Sequence, residues 1–279
     1  MKNIPKIIHL YWDGSSMSYL QHLTVHTLHE YNPEWGIIIH VPTQRHEQIT
    51  WHTGEQSVKY VGTDYWPMTK KLDYVEINTF NFQETTNVSN DIPEVFKSDI
   101  YRWYLLSTVG GVWTDFDILY TKPLSHIKSV DAETTTAIVF DGFHHIIGFY
   151  MAEPNNQFFK SIYDKSKSSI NFYQYQSVGS RLLMAMYPNM GVIHDNFKGV
   201  VNLGMDVVYP VIASDKTIYD LFTNFNNDIY FTDNTIGVHW YNGDSHSKYY
   251  TNNFDTMKNN NSTMSKMIEK YDIHSNSVF

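Results

Sequence analysis

The chain contains no cysteine. Disulfide staples and thiolate metal sites are therefore excluded, and a reducing compartment is compatible. No stretch approaches the ~20 consecutive apolar residues that a membrane-spanning helix requires. The opening residues MKNIPKIIHLYWDG carry neither an apolar signal core nor a small-residue cleavage site. The expectation from these absences is a soluble, cytoplasmic protein. Basic residues are also scarce. Twenty Lys and Arg against 29 Asp and Glu leave a net charge of -9, which argues against a broad cationic surface that tracks nucleic-acid phosphates. A Walker A loop, G-x-G-x-x-G, G-x-S-x-G and H-E-x-x-H are all missing. No internal repeat and no long Pro/Gly/Ser linker divides the 279 residues, so one large domain is expected.

Apolar residues are plentiful at 42%, enough for a substantial core, and aromatics are abundant, with 21 Tyr, 16 Phe and 7 Trp. The apolar run Lys6 to Trp12 reads as a buried first strand. Met17 to Tyr31 has helical spacing and stops at Asn32-Pro33. Gly36 to Val41 and Asp73 to Ile77 read as further strands, while Thr43 to Lys71 is polar and carries no clear period. Ile92 to Val109 is the clearest helix, and Gly110 suits the left-handed position after its last turn. Val112 to Tyr120 then reads as a single strand. Thr135 to Asp141, Ile146 to Ala152 and Thr235 to Tyr241 read as later strands, Asn155 to Lys167 and Tyr173 to Tyr187 as helices. Beyond Thr251 the composition is rich in Asn, Ser and Lys, with one short helix near Met264 to Tyr271. Alternating strands and helices imply an α/β fold with a mixed sheet.

Chemistry concentrates between Ser98 and Leu124. Asp115 and Asp117, two apart, would project to the same side of an extended segment. Two such carboxylates repel, and a divalent cation with hard oxygen ligands, magnesium or manganese, relieves that. Asp99 and Arg102, three apart on one helix face, form at minimum an intrahelical ion pair. The planar guanidinium also suits sugar or diphosphate oxygens. Trp12 stands at the end of the first strand, where ligands of open α/β sheets gather, and its ring could stack on a base. His239, followed by Trp240, ends the late strand and could add an imidazole to the carboxylates if the fold brings it there.

Taken together, these residues resemble the DXD-motif glycosyltransferases of the sugar-binding-region family. That group includes mannosyltransferases, capsular-polysaccharide transferases and, more distantly, large glucosylating toxins. Ile4 to Gly14, IPKIIHLYWDG, is similar to the family's opening segment. Ser98, Asp99, Arg102, Gly110, Gly111, Asp115, Asp117 and Lys122-Pro123-Leu124 match its S-D-x-x-R, G-G, D-x-D and K-P-L elements, and the likeness spans about residues 1 to 125. Later matches are looser. Gly148 stands where an asparagine is often found, Ser177 to Ser180 resembles a T-G-P turn without its proline, and His239-Trp240 is similar to a late His-W element.

The resemblance implies a GT-A-type, Rossmann-like nucleotide-binding fold with added helices. Residues 1–125 would form the donor half, 126–250 the acceptor half and 251–279 a tail. It implies that Trp12 stacks on the base, with Trp240 at the same donor site, and that Asp99 and Arg102 hold the donor sugar. Asp115 and Asp117 would serve ribose and metal, Asp117 being the firmer ligand and His239 the third. The implied cofactor is Mn²⁺ or Mg²⁺, the donor a UDP- or GDP-linked sugar, and the outcome retention. A glycan acceptor is the family's commonest implication, with a protein, a lipid-linked glycan or a modified nucleic-acid base as alternatives. Two other classes would use the same residues. One is a metal-dependent nucleotide-sugar hydrolase or nucleotidyltransferase attacking phosphorus; the other is a non-catalytic carbohydrate-binding module.

Overall fold

A computed structural model describes residues 3–46, 59–225 and 231–271. The first strand, β1 (Ile7–Tyr11), pairs in parallel with β2 (Gly36–Pro42), which pairs in parallel with β3 (Val75–Phe80). The chain then returns to the other side of β1, where β4 (Gly111–Thr114) joins it in parallel. β5 (Ile118–Tyr120) leaves this sheet. Strands β6 (Thr136–Ile138), β7 (Phe149–Ala152) and β8 (Val200–Asn202) complete it in the order β3-β2-β1-β4-β7-β6-β8. β7 runs antiparallel to both β4 and β6, so the seven-stranded sheet is mixed. The last strand, β9 (Gly237–His239), pairs antiparallel with β5 in a separate two-stranded sheet. This is an α/β, GT-A-like architecture, as expected. Strand order reverses between β1 and β4, and the carboxyl ends of those two strands mark the crevice where such sheets bind ligands.

Helices cover the sheet. They are α1 (Tyr19–Tyr31), α2 (Trp66–Thr69), α3 (Phe82–Thr86), α4 (Glu94–Thr108), α5 (Gln157–Ser166), α6 (Ser180–Met186), α7 (Met190–Asn196), α8 (Asp215–Thr223), α9 (Ser245–Asn252), α10 (Phe254–Asn259) and α11 (Thr263–Ile268). α1 starts where Ser18 and Gln21 close a capping box, an arrangement that contributes about 1 kcal/mol. Residues 173–179, expected within a helix, are turns, and only Ser180–Met186 is helical. Among the described residues beyond Thr251 there are two α-helices, Phe254–Asn259 and Thr263–Ile268, rather than one. Met257, Met264 and Ile268 bury against Leu221, Phe222 and Trp240. No described helix is long and apolar enough to cross a membrane.

A buried polar chain fastens β1, β2, β3, α4 and the turn before β4. His9 Nε2 lies 3.0 Å from the Gly110 carbonyl and His9 Nδ1 lies 3.0 Å from His40 Nε2. His40 Nδ1 meets the Asn78 amide at 2.9 Å and the Tyr101 hydroxyl at 3.1 Å. A carbonyl only accepts, so His9 Nε2 carries its proton and Nδ1 accepts from His40 Nε2–H. His40 Nδ1 then accepts from Tyr101 or Asn78, and both rings are neutral. Burial pushes His9 from 6.5 down to about 4 and His40 down to about 2, with the neighbouring His9 adding to the latter.

Because both imidazoles titrate lower in the folded chain than when unfolded, their stabilisation is complete above pH 6.5 and is lost as pH falls toward 4. His9 alone should cost roughly 2 kcal/mol between pH 6.5 and 5. His22, lowered to about 4 by burial, acts in the same direction. Urea unfolding at pH 7 and pH 5 should show a clearly lower midpoint in acid. A flat midpoint across that window would contradict neutral, buried rings.

Candidate active site

The expected strand Val112 to Tyr120 is two strands in two sheets. Asp115, Phe116 and Asp117 form the turn between them. The carboxylates therefore converge because the chain changes sheets, not because a strand projects alternate residues to one face. Several bonds fix the turn. The Asp115 N–H donates to the Gly148 carbonyl at 2.8 Å, the Thr24 hydroxyl of α1 donates to the Phe116 carbonyl at 2.8 Å, and the Trp240 N–H donates to the Asp117 carbonyl at 2.8 Å. Upstream, Gly110 and Gly111 have φ of 71° and 97°, and a Cβ at Gly110 would stand 2.6 Å from the Ala152 carbonyl oxygen. Left-handed backbone and a close strand make glycine necessary there.

Arg102 joins α4 to this turn. One terminal nitrogen holds Asp99 Oδ1 and the other holds Asp115 Oδ1, each at 3.1 Å. The Trp113 indole N–H also donates to Asp115 Oδ1 at 2.9 Å, and the guanidinium lies over the Trp113 ring at 4.8 Å. Asp99 and Arg102 are 2% and 3% exposed, so this is a buried pair with an added aromatic face. Burial disfavours the charge of Arg102, but Asp115 and Asp99 outweigh it and raise its affinity for the proton.

Asp117 sits on the other side of the turn. Its Oδ1 is 3.0 Å from His239 Nε2, and its Oδ2 accepts from the Asn242 N–H at 2.9 Å. Burial pushes the Asp117 carboxyl up, while His239 and the Asn242 N–H pull it down, and the net position is below the ordinary carboxylate range. Ligand atoms of Asp115, Asp117 and His239 all lie within 4.8 Å of one another. Two carboxylates and an imidazole in that space can coordinate a divalent cation. The Tyr209 hydroxyl is buried near Asp115 with no hydrogen-bond partner among the described residues.

Two cavities open around the cluster. The larger, about 460 Å³, is lined by Tyr11, Trp12, Asp13, Arg45, Lys59 and Lys248 among others. The smaller, about 280 Å³, is lined by Asp99, Arg102, Asp115, Asp117, Tyr175 and Gln176 among others. Tyr11, Trp12, Gln21 and Asn242 border both, so the two are adjacent. Trp12 belongs to the core as well, with Phe116 edge-on at 4.9 Å and its indole N–H held by the Ser15 carbonyl.

Residues 19–136 match the family described as glycosyltransferase sugar-binding region containing DXD motif. The D-x-D motif within the matched stretch is Asp115 to Asp117, at the sheet-to-sheet turn. No curated protein matches the chain in sequence. Solved structures similar to it include the PaToxG glycosyltransferase, 16% identical over 69% of this chain and 73% of the other, with TM-score 0.48. The galactosyltransferase LgtC in complex with donor and acceptor sugar analogs is 12% identical over 90% and 94%, with TM-score 0.45. A glycosyltransferase involved in glycosylation of the major capsid of PBCV-1 is 12% identical over 91% and 100%, with TM-score 0.41.

Of the residues singled out in the sequence, Trp12, Asp99, Arg102, Asp115 and Asp117 line the smaller cavity, and His239 meets the two aspartates. Trp240 does not. It is fully buried among Leu119, Val238 and Tyr250 and borders neither cavity. Neighbours on a strand face opposite sides, so His239 reaching the carboxylates turns Trp240 into the core. The sequence reading missed Asn242, whose N–H holds Asp117, and the wall residues Tyr175 and Gln176. Asn242-Gly243 after the late strand was a visible turn signal. Nothing in the local pattern marked Tyr175 or Gln176.

Proposed function

We propose that the chain is a metal-dependent glycosyltransferase moving a sugar from a nucleoside-diphosphate donor to an acceptor hydroxyl. The observation that carries this reading is the convergence of Asp115, Asp117 and His239 at the smaller cavity, with the two aspartates inside the stretch that matches the DXD family. The nucleoside takes the larger cavity, against Tyr11 and Trp12, and the donor sugar takes the smaller. Asp115, Asp117 and His239 hold Mn²⁺ or Mg²⁺, and the bound cation supplies positive charge that stabilises the departing diphosphate. Arg45, Lys59 and Lys248 add cationic wall on the phosphate side.

Asp99 accepts hydrogen bonds from sugar hydroxyls. Arg102 holds Asp99 and Asp115 in register, and its charge lies beside the bond that breaks. The acceptor is a glycan, and it enters past Tyr175 and Gln176. The neighbouring Phe172 and Tyr173 are 40% and 85% exposed and offer faces for sugar C–H groups. The only carboxylates lining the smaller cavity among the described residues are Asp99, Asp115 and Asp117, each engaged by Arg102 or His239. Retention of configuration is the outcome that the family resemblance implies.

The test is thermal unfolding with a panel of UDP- and GDP-sugars, each with and without Mn²⁺. A donor at a hundred times its Kd should stabilise by about 2.7 kcal/mol and raise the melting temperature by about 5 °C, only when metal is present. A panel with no metal-dependent shift refutes the reading.

A further inference from the structure

Tyr209 precedes α8 in a segment whose backbone is strapped to β9, with the His239 N–H donating to the Val208 carbonyl at 2.8 Å. The Tyr209 side chain is 2% exposed, and its ring lies 4.9 Å from that of His239. Its hydroxyl has no hydrogen-bond partner among the described residues. A buried phenol in that condition is costly and calls for a group to complete it. The hydroxyl points at the cation cluster. It stands 2.5 Å, and Asp115 Oδ2 2.9 Å, from the point a Cβ on residue 148 would occupy. Glycine at 148 is therefore what lets phenol and carboxylate share this space. Arg102 and Trp113 already hold Asp115 Oδ1, which leaves Oδ2 as the oxygen facing the phenol.

We propose that Tyr209 is a positioning residue of the cation site, its hydroxyl hydrogen-bonding a water in the shell of a divalent cation held by Asp115, Asp117 and His239. The inference rests on the metal reading above and adds to it. Magnesium and manganese bound through few protein ligands keep several waters, and those waters need fixed partners. Outer partners of this kind set affinity by orienting what touches the metal. Gly148 and Tyr209 then act as a complementary pair, the missing side chain at one making room for the hydroxyl of the other.

The test is Tyr209→Phe, read by titrating Mn²⁺ with electron paramagnetic resonance and by thermal unfolding in EDTA. The Mn²⁺ Kd should rise about tenfold. The melting temperature in EDTA should hold or increase, because the substitution removes an unpartnered buried hydroxyl. A purely structural tyrosine would not give that split. Gly148→Ala, which forces the hydroxyl aside, should also weaken Mn²⁺, and adding Tyr209→Phe to it should restore metal-free stability without restoring affinity. Unchanged Mn²⁺ affinity in Tyr209→Phe overturns the inference and leaves the metal reading standing. A wild-type chain that binds no Mn²⁺ removes both.

Discussion

Asp117→Asn is expected to abolish metal-dependent sugar transfer and leave the fold intact. The amide keeps the shape of the carboxylate. Its oxygen can still accept from the Asn242 N–H, now at 2.9 Å from Oδ2, and its NH₂ can donate to His239 Nε2, now 3.0 Å from Oδ1. Stability should therefore change by no more than about 1 kcal/mol. What disappears is one of the two carboxylates of the cluster that can coordinate a divalent cation, leaving Asp115 and His239. Loss of one electrostatic contact to the developing charge costs on the order of 10²–10³ in turnover, and loss of the metal itself costs more. Nucleoside diphosphate released from donor with Mn²⁺ present is the measurement. Wild-type turnover in this variant would rule out Asp117 as a ligand.

Arg102→Met should be among the most destabilising single changes in the molecule. Methionine replaces the side-chain volume but strands Asp99, 2% exposed, without its guanidinium partner. Asp115 loses the same partner at the start of the turn. Removing one member of a buried pair costs about 3–5 kcal/mol, because the remaining carboxylate loses the opposite charge beside it. Arg102→Lys should recover only part of this, since an ammonium cannot present two fixed donors to carboxylates on opposite sides. Urea unfolding of the three proteins measures the difference. A loss below about 1 kcal/mol for the methionine variant would show that the guanidinium is not the brace between α4 and β4.

These two residues also show how unevenly the site was written in the sequence. Asp99 and Arg102 were legible as a pair because three-residue spacing on a helix makes neighbours whatever the rest of the fold does. Gly110-Gly111 was legible as a break for the same local reason, a positive φ that other residues resist. Arg102 meeting Asp115 across 13 residues was not legible in that way, since it depends on β4 folding back beside α4. The apolar run through Val112 to Tyr120 was continuous, and alternation cannot say that one strand ends in one sheet and the next begins in another.

Local chemistry determined the α/β alternation, the helix holding Asp99 and Arg102, the double-glycine turn and the presence of an acidic pair. Each of these depends on neighbours a few residues apart, so spacing alone encodes it. The tertiary structure decided the rest. Pairing of β5 with β9 carried His239 to Asp117 and sent Trp240 inward. Packing of the segment before α8 on β9 put Tyr209 behind Asp115, in room left by Gly148. Those contacts join residues up to about 120 positions apart. They follow from how sheets and helices bury their apolar faces against one another, which no short window of sequence contains.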